Sequence, residues 1–178
     1  LDLYHQKKCY LIKADLTKEK DLIRIKKHIH KKFKFINGLV NNAYSGKTGS
    51  LDKLKKKDFE NAFNLNLFAP FKIILDLKDL LLKGERITKQ SSSIINIASM
   101  YGIVSPDKRI YEDKNKKYYN PAQYGSTKAG LIQITKYLAC NLSPKKIRVN
   151  SVSLGPFPNK KVSLGFKRKL MQKVPMGR

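Results

Sequence analysis

Short β-branched apolar runs along the chain alternate with longer lysine-rich stretches in which apolar residues return every three or four positions. This is the pattern of βα units that assemble into a parallel sheet. "CYLIKA" (9–14) predicts a strand, and "TKEKDLIRIKKHIHKKF" (17–33) a helix with Thr17 as N-cap and Leu22, Ile25, Ile29 and Phe33 along one side. "INGLVNNA" (36–43) predicts a second strand, and residues 53–82 a long helical region in which Pro70 implies a kink or break. "SSIINIAS" (92–99) reads as a strand buried on both faces. A helix follows over 122–141, then a strand over 147–155 ("IRVNSVSLG") and a tail of loop and short helix. Internal repeats and low-complexity segments are absent from the sequence.

At 178 residues with 41% hydrophobic content the chain fits one α/β domain with a real core. Lys and Arg outnumber Asp and Glu by 38 to 13, a net charge of +25. The excess is nearly all lysine and is spread along the chain, as in "DKLKKKDF". It reads as a solvated surface; a nucleic-acid module concentrates Arg and aromatics on one stripe. Cys9 and Cys140 have neither disulfide-framework nor zinc-ligand spacing, so a reduced, cytoplasmic protein without a metal is expected. Runs such as "FAPFKIILDL" are too short and interrupted to span a bilayer, which argues against a membrane partner. The sequon at Asn141 is then incidental.

In open parallel sheets ligands bind beyond the carboxyl ends of the strands. Asp15, Asn41, Asn42, Ser99 and Gly155 each fall at or just after a predicted strand end. Tyr124 and Lys128, in "AQYGSTKAG", stand one helical turn apart. Such a pair alone is weak evidence, because i,i+4 neighbours occur on many helices. A phenol titrates near pH ~10 and is a poor base at neutral pH, but an ammonium one turn away stabilises the phenolate. Each residue also has an ordinary reading: Asn66 as a helix-surface amide, Ser99 as a loop-start hydroxyl, Tyr124 as a packing aromatic, Lys128 as a solvated cation.

"ADLT" (14–17), "NNA" (41–43), "NLNL" (64–67), "INIAS" (95–99), "YGSTK" (124–128) and "RVNSVSLGPF" (148–157) follow one another in the order seen in the short-chain dehydrogenase/reductase family, which the chain resembles over nearly its whole length. The resemblance implies a doubly wound, Rossmann-like parallel sheet and NAD or NADP as cofactor. It also implies a catalytic tetrad of Asn66, Ser99, Tyr124 and Lys128. Tyr124 would exchange a proton with an alcohol or carbonyl while a hydride moves to or from the nicotinamide. Ser99 would hold the substrate oxygen, Lys128 the nicotinamide ribose, and Asn66 a water linking Lys128 to solvent. Asp15 and Leu16 resemble the adenine contact, and Asn41, Asn42 and Ala43 the turn beside the adenine ribose, with Asn41 also bracing the sheet. Gly155 and Pro156 resemble the turn along the nicotinamide. Family members commonly pair through the helices corresponding to 53–82 and 122–141, so a homodimer or tetramer is expected.

The chain also departs from the family pattern. No glycine precedes Asp15, so the Gly-rich phosphate loop is missing, and the family's last strand has no counterpart. Residues 1–178 therefore read as one partial domain, incomplete at both ends, of a parent of roughly 250 residues. Tyr44 stands where the family has glycine after "NNA", and Leu154 where it often has proline. Ser99 and Tyr124 are 25 positions apart, roughly twice the usual spacing. The extra residues must loop over the substrate side, and their basic, aromatic character suits an anionic or sugar-like ligand. Ser99, Tyr101, Arg109 and Tyr111 are the candidate substrate contacts, Arg109 for an anionic group. "NNAY", "SMYG", "RIYE" and "NPAQY" together resemble oxidoreductases of flagellin modification and nonulosonic-acid pathways. Two other readings stay open: a truncated, inactive protein of this fold, and a basic polyanion-binding protein without catalysis.

Overall fold

The structure, a computed structural model, describes residues 9–47, 49–113, 116–117, 119–156 and 162–177. Three parallel strands form the sheet: β1 (Gly38–Asn41), β2 (Ser92–Ile97) and, last in the chain, Ile147–Val152, here β5. β2 lies in the middle, with Leu39 opposite Ile94 on one side and Val149 opposite Ile94 on the other. Parallel neighbours need long crossovers, and helices supply them. α2 (Lys56–Phe63) and α3 (Ala69–Thr88) connect β1 to β2, and α5 (Ala122–Leu142) connects β2 to β5. The remaining elements are α1 (Glu19–Lys32), α4 (Lys108–Tyr111), the two-residue antiparallel pair β3 (Glu112–Asp113) and β4 (Lys116–Lys117), and α6 (Leu164–Met171).

The core lies between one face of the sheet and two helices. Ile74 and Leu81 of α3, Leu138 and Leu142 of α5, and Ile94, Ile147 and Val149 of the strands form one buried cluster. Burial of each such side chain is worth about 1.5–3 kcal/mol. α1 packs on α3 through Lys26–Asp76 at 3.3 Å and the His30 ring on the Asp76 carbonyl oxygen at 2.9 Å. No helix among the described residues is long and apolar enough to cross a membrane.

Four expectations are corrected. Residues 9–14 form no strand: among the described residues no ladder neighbour pairs with them, and a strand without one cannot satisfy its backbone. Thr17 is not the N-cap of α1; that place belongs to Lys18, while the Thr17 N–H and hydroxyl donate to the Asp15 carboxylate at 3.0 and 2.7 Å. The long helical region is interrupted, but just before Pro70 and not by it. One π-helical turn, Asn64–Phe68, shifts the hydrogen-bond register so that the Ala69 N–H reaches the Asn64 carbonyl, and Pro70 falls in the first turn of α3, where its missing donor is tolerated. β2 is buried on one face only: Ser92, Ile94 and Asn96 are sealed under α3 and α5, whereas Ser93, Ile95 and Ile97 on the other face are half-buried. The strands are also shorter than predicted, although Ala98 N–H to Val152 O and Met100 N–H to Leu154 O extend the contact between β2 and β5.

Candidate active site

α5 explains how Tyr124 and Lys128 reach the strand ends. Gln123, Thr127, Leu131, Thr135, Leu138 and Leu142 recur every three or four residues and are all buried. The lower part of this stripe enters the apolar core, and the upper part is polar. Thr135 there accepts from Asn96 Nδ2 (2.9 Å), whose Oδ1 accepts from Asn41 Nδ2 (2.8 Å). This buried chain crosses the sheet from β1 to α5 and gives Asn41 the bracing position expected of it. Asn96 and Thr135 were the missed members, although an asparagine inside "IINIAS" was a visible signal.

Lys128 is 2% exposed. Its Nζ donates to the Ile97 carbonyl oxygen at 2.6 Å and lies 5.8 Å from the ring centroids of both Tyr124 and Tyr44. Burial pulls its pKa down from 10.5 to about 8. Asn66, in the π-helical turn, is 1% exposed. Its amide accepts from the Ser45 N–H (2.6 Å) and donates to the Ser45 carbonyl (2.8 Å) and to Thr127 Oγ1 (2.9 Å). Asn66 thus clamps the segment after β1 onto α5. Tyr44, in that segment, meets the Tyr124 ring edge-on with centroids 5.9 Å apart.

Ser99, buried at the end of β2, opens the short 3₁₀ turn Met100–Gly102, and its hydroxyl accepts from the Tyr101 N–H at 3.2 Å. The turn rests directly on α5. A Cβ on Gly102 would stand 2.8 Å from the Lys128 backbone, and one on Gly125 would stand 2.9 Å from the Tyr101 carbonyl oxygen. Neither position has room for a larger residue, and this closeness fixes Ser99 relative to Tyr124.

Ser99 and Tyr124 line one cleft of about 320 Å³. Its other walls include Tyr44, Tyr101, Tyr111, Asn120, Gly155 and Phe166. The insertion is anchored at one point, although residues 103–106, 108 and 109 are exposed: Ile110 packs with Phe166 and Leu170 of α6, and the Tyr111 ring meets Phe166 at 5.4 Å. Within it, residues 114, 115 and 118 lie outside those described, as do 157–161. Phe166 and Leu170 were not foreseen as lining residues, because their contact with residue 110 is set by tertiary packing.

Two groups of expected site residues are not brought to the cleft. Arg109 is on the surface, where its guanidinium holds Asp107 through two hydrogen bonds of 2.9 Å and pulls that carboxyl down to about 2. Asp15 and Leu16 lie in the unpaired segment before α1. The Asp15 carboxylate, lowered by its hydrogen bonds from Thr17, also stands 3.4 Å from Lys18. Asn42 and Ala43 are exposed at the end of β1, and Gly155 and Pro156 follow β5 at the cleft rim.

The profile described as short chain dehydrogenase matches residues 2–162. The chain belongs to the short-chain dehydrogenase family. It is 27% identical over 169 residues to the 3-oxoacyl-[acyl-carrier-protein] reductase FabG of Thermotoga maritima, covering 92% of this chain and 61% of that protein. The Pseudomonas aeruginosa RhlG/NADP active-site complex superposes with a TM-score of 0.83 at 26% identity, covering 99% of this chain and 66% of that one. A short chain dehydrogenase from Leptospira borgpetersenii with bound NAD+ gives a TM-score of 0.76 at 30% identity, over 94% and 61% of the two chains. This family member therefore spans less than two thirds of the length of these relatives. The neighbours have the Rossmann-like α/β fold, of which three parallel strands are present here.

Proposed function

We propose that the chain forms the catalytic part of an NAD- or NADP-dependent oxidoreductase acting on an alcohol or carbonyl carbon of a carbohydrate-like small molecule. The observation that carries this reading is Lys128: a buried ammonium, with desolvation as the cause of its shift and no carboxylate beside it among the described residues, held on a strand-end carbonyl and turned toward the Tyr124 ring. Burying a cation without a neutralising partner is costly, and such shifted groups mark sites of chemistry.

The residues present fit the nicotinamide end of such a cofactor. One Lys128 N–H is used on Ile97, which leaves two donors for ribose hydroxyls. The rim beside it is open: Asn42, Ala43 and Gly155 are exposed, and a Cβ on Gly155 would meet nothing within 4 Å. Asp15 and Leu16 remain the candidates for the adenine end, where Asp15 would give up its local partners. When bound, the cofactor supplies or accepts the hydride. In the oxidative direction Tyr124 Oη takes the substrate hydroxyl proton, and in the reductive direction it returns one to the carbonyl oxygen. The Lys128 charge stabilises the negative charge that appears on Tyr124. Ser99 Oγ donates to the substrate oxygen, and Asn66 keeps the Tyr44–Gly46 segment packed against Tyr124.

The sugar assignment is supported by the motif resemblance to the flagellin-modification and nonulosonic-acid subgroup. The FabG relative's activity makes a 3-oxoacyl thioester the competing substrate class. Exposed Phe59, Phe63, Leu75 and Tyr137 on α2, α3 and α5 support pairing of two copies through these helices, and a cytoplasmic location goes with the small-molecule reading. Hydride transfer followed by nicotinamide absorbance is expected to fall at least ~10³-fold in Tyr124→Phe with the fold retained. Turnover within about tenfold of the parent would reject the assignment.

A further inference from the structure

The cleft beside Tyr124 has a second polar feature, outside the residues that exchange the proton. The Tyr101 and Tyr111 hydroxyls are hydrogen-bonded to one another, and Asn120 Nδ2 donates to the Tyr111 hydroxyl at 3.5 Å. Two phenols carry two hydroxyl hydrogens, and their mutual bond uses one. Whichever phenol donates, one hydroxyl hydrogen is left over, and it has no partner among the described residues. The pair is held firmly: Gly125 receives the Tyr101 carbonyl, and Phe166 meets the Tyr111 ring at 5.4 Å. Around it the described walls are mostly aromatic or apolar, with Tyr44, Tyr119, Phe166 and Leu154 among them, Ser99 and Asn120 as polar exceptions and no charged side chain. Burial raises the Tyr101 hydroxyl above its ordinary 10.0, so it stays a neutral donor and acceptor at every physiological pH.

Resting on the oxidoreductase reading, we infer that the Tyr101–Tyr111 hydroxyl pair, supported by Asn120, is the specificity determinant of the cleft and selects an uncharged, hydroxyl-bearing ring as the group placed against Tyr124. A sugar or polyol ring presents C–H faces to aromatic walls and ring hydroxyls that both accept and donate. An anion would meet no charged side chain among the described wall residues: Lys128 is not one of them, its Nζ being held on the Ile97 carbonyl, and Arg109 is paired with Asp107 on the surface. An acyl chain would leave the spare hydroxyl hydrogen unpaired, and sites built around hydroxyl recognition reject analogues that lack it.

The chain has nine tyrosines and no tryptophan, and five of the nine line this cleft, so quenching of tyrosine fluorescence can follow a ligand that enters it. The titration uses the whole protein with a panel of neutral methyl pyranosides, the same sugars as 6-phosphates, and 3-oxohexanoyl-pantetheine. Saturable quenching is expected for at least one neutral pyranoside, at least about tenfold tighter than for its phosphate and for the thioester. Tyr111→Phe keeps the ring packed on Phe166, and with an unchanged melting temperature it is expected to weaken that pyranoside at least about tenfold. The inference is overturned if no neutral pyranoside saturates, if the phosphate or thioester binds tighter, or if Tyr111→Phe leaves affinity unchanged. Tyr124→Phe separates the two claims. Lost turnover with a silent Tyr111→Phe rejects only this inference; retained turnover with a weakened Tyr111→Phe rejects only the oxidoreductase reading.

Discussion

Around Tyr124, the side chains that shape the rim are tied to partners far away in sequence, whereas the partners of Asp15 lie within six residues. Asn41 reaches Asn96, Asn96 reaches Thr135, Asn66 reaches Ser45 and Thr127, and Lys128 reaches Ile97. Asp15 binds Thr17 and stands near Lys18, and its N–H donates to Asp21 at 2.8 Å. The first arrangement exists only when strands and helices have assembled. The second needs one turn of chain and no sheet. Preorganisation of the kind catalysis uses is therefore concentrated on the Tyr124 side.

Substitutions can break this contrast, and the largest effect is expected at Lys128. Its folded value of about 8 lies below the ordinary 10.5, so between these limits the unfolded chain holds a proton that the folded chain has lost. Stability therefore rises as pH climbs through this window, by up to about 3 kcal/mol. Denaturant titrations at pH 7 and pH 10.5 should show that rise in the parent and a smaller one in Lys128→Met; equal rises would mean that Lys128 is not desolvated. Next comes Asn96→Ala, which leaves the Asn41 amide without its acceptor and Thr135 without its donor. It should cost about 2 kcal/mol in the same titration. A change below about 0.5 kcal/mol would mean that the polar chain across the sheet is not held. The smallest effect is expected for Asp15→Ala, whose thermal midpoint should coincide with the parent's within scatter. A clear loss would show that the segment before α1 is integral to the fold.

The same contrast explains how much of the molecule could be read from its sequence. The 122–141 helix, the central "INIAS" strand and the Tyr124–Lys128 pair were legible because their signals are local: helical spacing, a β-branched run, one turn between two residues. Residues 9–14 carry an equally good strand pattern and form no strand, because strand formation depends on a neighbour that no local pattern encodes. Burial of β2 on both faces was overestimated for a similar reason, since covering a face depends on where the helices land. The pairing of Arg109 with Asp107, two residues earlier, was not read from the sequence, where Arg109 stood out only as a cation in the insertion. Asn66 was found by motif, but its clamp on Ser45 and Thr127 spans contacts that only the folded chain reveals.

In the proposed reading, this chain builds the nicotinamide side of a dinucleotide site through Tyr124 and Lys128, while the Asp15 side remains a local turn. Saturation-transfer NMR on the protein with nicotinamide mononucleotide and, separately, adenosine monophosphate tests it directly. A saturable signal from the nicotinamide ring at millimolar ligand is expected to disappear in Lys128→Met, and a weaker adenine signal to be unaffected by Asp15→Ala. A nicotinamide signal that survives Lys128→Met, or adenine binding that is tighter and lost in Asp15→Ala, would contradict it.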